Sequence, residues 1–148
     1  MKIIKITNLI IKMLLAAMWA YVALKKILNV TEFKSVLYKS ALIESYQVDI
    51  ISIVLPTMEI IIFVLLFSRK KVFGYYLSLM LLLTYTGYLI VLNDFSIYEG
   101  CSCGGIFYSL SYQEHLIVNG IFLILNLLIL FIDDEKKHTN RNYSVPFS

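Results

Sequence analysis

Four long apolar runs dominate the chain, and polar segments separate them. The runs extend over Ile6–Leu28, Ile50–Phe67, Val72–Leu92 and Leu116–Ile132. Each is close to the length of about 17–25 residues that a helix needs to cross the hydrocarbon layer of a bilayer. The period-two alternation of a membrane strand is missing, and a helix satisfies its own backbone hydrogen bonds in lipid. The pattern predicts an all-α fold, a bundle of four transmembrane helices.

The composition excludes a soluble monomer. Of the 148 residues, 59% are hydrophobic and 16% are charged, whereas soluble domains average about 45–50% and about 25%. A chain of this length buries only about two-thirds of its surface on folding, so a core cannot hide the excess. The net charge of +3 is too small to imply a nucleic-acid partner. We predict a membrane domain over residues 1–132 and a polar cytoplasmic tail over 133–148 that is expected to be disordered.

The lysine and arginine residues predict the orientation of the helices. A signal peptide is disfavoured because the first apolar stretch is long and its cleavage pattern is poor, so that stretch counts as a span. Nine basic residues then fall on one side, namely Lys2, Lys5, Lys12, Arg69, Lys70, Lys71, Lys136, Lys137 and Arg141. Four fall on the other, namely Lys25, Lys26, Lys34 and Lys39. Basic residues concentrate on the cytoplasmic side, so we expect both termini in the cytoplasm and connector 93–115 outside.

The two cysteines lie in that external connector, within Gly100-Cys101-Ser102-Cys103-Gly104. A disulfide between Cys101 and Cys103 would close a very small ring, which departs from relaxed bridge geometry and is easily reduced. The neighbouring glycines permit the tight backbone that such a ring requires. An exposed, labile disulfide suits exchange with a partner. A passive local bridge and two free thiols are the alternative interpretations.

His115 stands at the outer mouth beside the cysteine connector. There it is a candidate proton acceptor or an electrostatic aid to a thiolate, and a plain interfacial histidine is the alternative. Together with Cys101 and Cys103 it supplies three soft metal ligands. A zinc site usually needs four, so no metal site is predicted.

Glu59 is the most conspicuous polar residue inside an apolar run. A carboxylate near mid-membrane is costly and by default indicates function, although a protonated or ion-paired structural role is equally compatible with the sequence. Pro56 lies one turn before it and leaves a carbonyl near Ser52 without a helical partner. Lys25 or Lys26, at the end of the first helix, is a candidate partner, unless both snorkel to the outer interface.

The last helix carries a polar stripe, and aromatic residues are frequent throughout. His115, Asn119 and Asn126 share one helical face, which usually joins a membrane helix to its neighbours. Interfacial belts partly explain the aromatic residues, namely Trp19, Tyr21, Tyr75, Tyr76, Tyr85, Tyr88, Tyr108 and Tyr112. Such rings could also bind a quinone, but their spacing singles out no site.

In its order of motifs the chain resembles the MauE branch of the MauE/DoxX-like membrane proteins. The resemblance covers roughly residues 10–132. It rests on the end of the first helix followed by Phe33 and Leu37, on Pro-x-x-Glu at Pro56 and Glu59, on the Cys-x-Cys-Gly segment, and on the stretch from Ser111 to His115 with Asn119. The chain departs from the family's Cys-Gly-Cys-Phe-Gly pattern at Ser102 and in the Gly104-Gly105 pair.

The resemblance implies a redox-associated membrane protein. Members of this family are associated with a thioredoxin-like protein outside the cytoplasm, with disulfide formation in a client, and with maturation of methylamine dehydrogenase. The primary hypothesis is therefore thiol–disulfide exchange at Cys101 and Cys103. His115 and Glu59 are further candidate catalytic residues, and Lys25, Lys26, Pro56 and Asn119 are candidates for a supporting role. No second cysteine pair is present, so electrons would pass to a bound quinone or between soluble partners. A non-catalytic docking scaffold and a metal or small-solute carrier are the other hypotheses.

Overall fold

The computed structural model describes residues 2–39, 43–95 and 112–143, and every regular element in these ranges is helical. Helix α1 extends over Lys2–Leu28, α2 over Val30–Tyr38, α3 over Ser45–Phe67, α4 over Lys71–Phe95 and α5 over Tyr112–Tyr143. Four of these helices are long and apolar enough to cross a membrane, through the spans Ile6–Leu28, Ser45–Phe67, Lys71–Val91 and Gln113–Asp133. The predicted four-helix bundle is confirmed, and the side of the membrane on which the termini lie stays a prediction.

The four long helices form a ring in which each packs against two neighbours. Helix α1 packs on α3, α3 on α4, α4 on α5, and α5 closes the ring against α1. Among the described residues the diagonally opposed helices do not approach each other in the backbone, so only long side chains bridge the middle of the bundle. The outward faces carry exposed aliphatic and aromatic residues, such as Phe131 at 71% and Ile53 at 68% exposure, which is the surface that lipid chains solvate.

The centre of the bundle is apolar over most of its length. Its fully buried members come from all four long helices, and they include Leu15, Ile62, Leu66, Leu82 and Ile129. Trp19 and Tyr75 belong to the same core and are 1% and 0% exposed. The expectation that these two rings form an interfacial belt is therefore wrong, because both side chains fill the space between helices.

Helix α2 lies in a segment that the hydrophobic pattern predicted only as a connector. It turns Phe33 and Leu37 inward, four residues apart on one face, against Val48 of α3. On its exposed side Lys34 Nζ donates a 2.6 Å hydrogen bond to Asp49 Oδ1. This bond raises the pKa of Lys34 above its usual 10.5. Helix α2 therefore covers one end of α3 with a second, smaller apolar cluster.

Two ends of the bundle are distinguished by their connections. At the turn end, residues 68–70 join α3 to α4, and Ser68 Oγ accepts a hydrogen bond from the Lys70 N–H at 3.0 Å. At the opposite end, called here the connector end, α1 and α4 finish and α3 and α5 begin. Helix α5 continues to Tyr143, so residues 133–143 of the expected disordered tail are helical in the structure.

Candidate functional site

A buried cluster of Lys26, Glu59 and Tyr85 joins three helices inside the bundle. Lys26 Nζ lies 2.5 Å from Glu59 Oε1 and donates a 2.9 Å hydrogen bond to the Tyr85 hydroxyl. The Tyr85 hydroxyl in turn donates to the same Glu59 Oε1 at 2.5 Å. The three groups thus form a closed ring of hydrogen bonds that links α1, α3 and α4. We call it the Lys26–Glu59–Tyr85 cluster.

The helices place these side chains through their apolar faces. Glu59 belongs to the buried stripe of α3, together with Ser52, Pro56 and Ile62, spaced by three or four residues. Lys26 occupies the last turn of α1, on the same face as Trp19 and Val22. Glu59 and Lys26 are therefore buried because each lies on the inward, mainly apolar face of its helix.

Lys26 is buried, 6% exposed, and does not snorkel to the interface. Its ammonium group lies 4.6 Å from the ring centroid of Tyr85 and 5.3 Å from that of Phe33 in α2. Such ring contacts favour a cation that has been withdrawn from water. Lys25 behaves differently: it is exposed, and its ammonium lies 5.8 Å from the ring of Tyr21. Of the two candidate partners for Glu59, the structure therefore selects Lys26.

Only one of the two carboxylate oxygens of Glu59 is engaged. Oε1 accepts both hydrogen bonds of the cluster, whereas Oε2 has no hydrogen-bond partner among the described residues. Glu59 is 0% exposed. A buried polar atom without a partner costs about 1–3 kcal/mol, and more when it is charged. Glu59 therefore keeps an open acceptor position in the interior of the bundle.

A second polar layer lies nearer the turn end. Trp19 Nε1 donates a 2.8 Å hydrogen bond to Ser78 Oγ across the bundle, and Ser78 Oγ lies 2.6 Å from the side-chain amide of Asn126. All three residues are buried. Helices α1, α4 and α5 are thus joined, which confirms the expectation that Asn126 ties α5 to its neighbours. The layer leaves no chemical role open for these groups, because they satisfy one another.

The register of α4 against α5 fixes the height of Asn119. Asp133 pairs with Lys71 at 2.5 Å, and seven residues away on each helix Asn126 meets Ser78. Seven residues are two helical turns, about 10 Å. One further step of seven brings Asn119 to the height of Tyr85. Asn119 is 4% exposed, so it is buried at the same level of the bundle as the Lys26–Glu59–Tyr85 cluster.

His115 and Pro56 extend the polar region toward the connector end. His115 is 5% exposed and lies one turn beyond Asn119 on the same buried face of α5. Helix α3 continues through Pro56, which has no N–H, so the carbonyl of Ser52 has no partner in the helix ladder. Ser52 is itself buried at 4% exposure. The predicted one-sided polar stripe on α5 is therefore confirmed, and the prediction of a free carbonyl near Ser52 fits the unbroken helix.

The cysteine pair lies outside the described residues. Cys101 and Cys103 belong to residues 96–111, which connect the end of α4 to the start of α5. Their pairing and their relation to His115 stay predictions. What the described part of the chain provides is the location of the two attachment points: Phe95 and Tyr112 both belong to the connector end of the bundle.

Sequence reasoning missed Tyr85, Trp19 and Ser78 as members of buried polar layers, although one signal was present. Polar or amphipathic residues recur every seven positions in three helices: Lys12, Trp19 and Lys26 in α1, Lys71, Ser78 and Tyr85 in α4, and Asn119, Asn126 and Asp133 in α5. A repeat of seven keeps residues on one face of a helix. This common spacing predicts shared layers, and the structure contains two of them: Trp19 with Ser78 and Asn126, and Lys26 with Tyr85 at the height of Asn119.

Comparison with known proteins gives one family. The model of the family described as methylamine utilisation protein MauE matches residues 4–132. This range includes the first three spans, the fourth span except its last residue Asp133, the Lys26–Glu59–Tyr85 cluster and the cysteine connector. No curated protein and no solved structure matches the chain.

Proposed function

The chain belongs to the MauE family of multi-pass membrane proteins, and on this basis we propose that it takes part in thiol–disulfide exchange through Cys101 and Cys103. The observation that carries the proposal is the Cys-x-Cys pair, the only cysteines of the chain, in the connector between α4 and α5. The proposed partner is a thioredoxin-like protein outside the cytoplasm, acting in the maturation of a client protein.

The distribution of charge supports an external position for the connector. Residues 96–111 contain no lysine or arginine, while the turn end carries Arg69, Lys70 and Lys71 in succession. Basic residues in short loops mark the cytoplasmic side. The turn end is then cytoplasmic, the connector end is external, and the cysteines work where disulfides persist.

The exchange itself needs only two thiols and a partner disulfide. In the direction that oxidises this chain, the thiolate of Cys101 attacks one sulfur of the partner's disulfide; that bond breaks, and a mixed disulfide forms. The thiolate of Cys103 then attacks Cys101 Sγ, which closes the Cys101–Cys103 bond and releases the partner as a dithiol. Two electrons pass to the partner in this direction, and the reverse sequence returns them.

Single-cysteine variants test this proposal. With Cys103→Ser, this chain cannot resolve the mixed disulfide, so the full-length protein in detergent should accumulate a covalent adduct with a thioredoxin-like protein that retains only its attacked cysteine, supplied as a mixed disulfide with a small thiol that Cys101 displaces. The adduct is read on a non-reducing gel after acid quenching and identified by mass spectrometry. The double variant Cys101→Ser/Cys103→Ser is the matched control and should give none. If the Cys103→Ser variant binds the partner without forming an adduct, the protein is a docking scaffold and the exchange proposal is wrong.

A further inference from the structure

The open acceptor position on Glu59 has apolar neighbours toward the turn end of the bundle and polar neighbours toward the connector end. Toward the turn end the space between the helices is filled by fully buried aliphatic side chains, among them Ile62, Leu66, Leu82 and Ile129. One turn from Leu82 toward the turn end, the Trp19–Ser78–Asn126 layer crosses the bundle, and its groups are already hydrogen-bonded to one another. Between the Lys26–Glu59–Tyr85 cluster and this layer the described buried side chains are apolar. The Tyr75 hydroxyl and the Asn8 amide, which have no hydrogen-bond partner among the described residues, lie beyond the layer, toward the turn end, so the layer separates them from Glu59.

Toward the connector end the neighbours are polar. Pro56 lies inside α3 and has no N–H, so the carbonyl of Ser52, about two turns before Glu59, has no partner in the helix ladder. Asn119 lies buried at the height of Tyr85. His115 continues the same face of α5 outward by one turn. These groups belong to α3 and α5, on either side of α4. Together they give hydrogen-bonding positions from the connector end down to the level of the carboxylate.

We propose that Glu59 is a proton-binding site that is reached only from the connector end of the bundle. A proton from solvent forms an O–H bond at Oε2, the oxygen that the cluster leaves unpartnered, and the Glu59 carboxylate becomes a neutral carboxylic acid. The Lys26–Glu59 ion pair becomes a hydrogen bond from a cation to a neutral group. The buried cluster then changes from a net charge of zero to plus one, because Lys26 keeps its proton.

The surroundings allow this change without dispersing the cluster. Lys26 retains the hydroxyl of Tyr85 and the rings of Tyr85 and Phe33 when its counter-ion is neutralised. The titratable groups that face Glu59 are Lys26 from α1 and Tyr85 from α4. From α5 the nearest titratable group toward the connector end is His115, and α2 contributes the uncharged Phe33. The Lys34–Asp49 pair is exposed and lies outside the cluster.

Infrared spectroscopy of the full-length protein in nanodiscs of phosphatidylcholine tests the first half of the proposal. Lowering the pH should produce the carbonyl-stretch band of a protonated carboxyl group that is lost in Glu59→Gln and kept in Asp49→Asn, whose carboxylate is exposed on the same helix. The spectrum of Glu59→Gln is subtracted from that of the wild type at each pH. If this difference shows only carboxylate bands for Glu59 at every pH at which the bundle stays folded, Glu59 does not bind a proton and the proposal is overturned.

The direction of access is tested by the rate at which the band appears after a pH jump. Asn119→Leu removes one polar position on the connector side, so proton uptake should slow by about fivefold to 150-fold, which corresponds to about 1–3 kcal/mol for a lost polar partner. Ile129→Val, at the turn end of the same helix, is the matched control and should leave the rate unchanged. Equal rates in Asn119→Leu and the wild type, in a variant that keeps its unfolding temperature, would overturn one-sided access. The same measurement on Cys101→Ser/Cys103→Ser separates this proposal from the exchange function, because proton uptake should persist without the cysteines.

Discussion

Replacing Lys26 by methionine removes one partner of the buried ion pair while keeping the length of the side chain. In the native bundle the ammonium group donates to Glu59 Oε1 at 2.5 Å and to the Tyr85 hydroxyl at 2.9 Å. The two charged residues are 6% and 0% exposed. After Lys26→Met, the Glu59 carboxylate remains buried with the Tyr85 hydroxyl as its one donor among the described residues. We expect a large loss of stability.

The magnitude follows from the burial of the pair. Removing one partner of a buried pair typically costs about 3–5 kcal/mol, because the other charge is left uncompensated. Replacing both partners by apolar residues avoids that charge: in Lys26→Met/Glu59→Leu the main remaining defect is the stranded Tyr85 hydroxyl, at about 1–3 kcal/mol. The double variant should therefore be more stable than Lys26→Met alone. Acidification should reduce the cost of Lys26→Met, since a proton on Glu59 removes the unpaired charge.

The assay is equilibrium unfolding of the purified protein in detergent micelles with increasing dodecyl sulfate. Trp19 is the only tryptophan, and it is buried against Ser78, so its fluorescence reports on the centre of the bundle. Lys25→Met is the matched control in the same helical turn; Lys25 is exposed, so its replacement should stay within about 0.5 kcal/mol of the wild type. If Lys26→Met costs no more than Lys25→Met, or if Lys26→Met/Glu59→Leu is no more stable than Lys26→Met alone, the Lys26–Glu59 pair does not stabilise the bundle as described.

Three further substitutions test the packing of the bundle. Gly74→Ala should destabilise the α3–α4 hairpin, because an added Cβ would lie 3.0 Å from Leu65 Cβ and 3.2 Å from the Leu65 carbonyl carbon. In the control Gly120→Ala the added Cβ meets nothing within 4 Å, so this variant should be neutral or more stable by up to about 1 kcal/mol. Equal thermal unfolding temperatures for the two variants would contradict the close approach at Gly74. Ser78→Ala should cost about 1–3 kcal/mol, because it leaves the Trp19 N–H without its acceptor, and an unchanged fluorescence maximum and unfolding midpoint would show that this layer contributes nothing.

The hydrophobic pattern was sufficient for the long helices because a membrane span needs length and apolarity more than a specific partner. The first predicted span ends at Leu28, as α1 does, and the second ends with α3 at Phe67. Helix α2 was missed because its inward face consists of only two residues, Phe33 and Leu37, in an otherwise polar segment. The hydrophobic pattern also ended the last helix at Ile132, whereas polar residues extend α5 to Tyr143.

The buried cluster was only partly predictable. A partner for Glu59 is expected from the sequence alone, but Lys25 and Lys26 are equal candidates there. Adjacent residues on a helix differ by about 100° in direction, and the rotation of α1 is a tertiary property. Tyr85 was assigned to an interfacial belt because aromatic composition alone does not separate a ring at the lipid interface from one that bridges helices. The available signal was the seven-residue spacing of Lys71, Ser78 and Tyr85 in α4. This spacing identifies buried polar layers only when the helices that face α4 are known.

The sidedness and reactivity of Cys101 and Cys103 test the central claim most directly. Intact cells that express the protein are reduced mildly, and a membrane-impermeant maleimide is then added. Both thiols should be labelled, with markedly less labelling when the reduction step is omitted. Lys70→Cys in the Cys101→Ser/Cys103→Ser background carries a single thiol at the turn end and should react only after the membrane is permeabilised. Labelling of the native pair only after permeabilisation, or equally with and without reduction, would contradict the account.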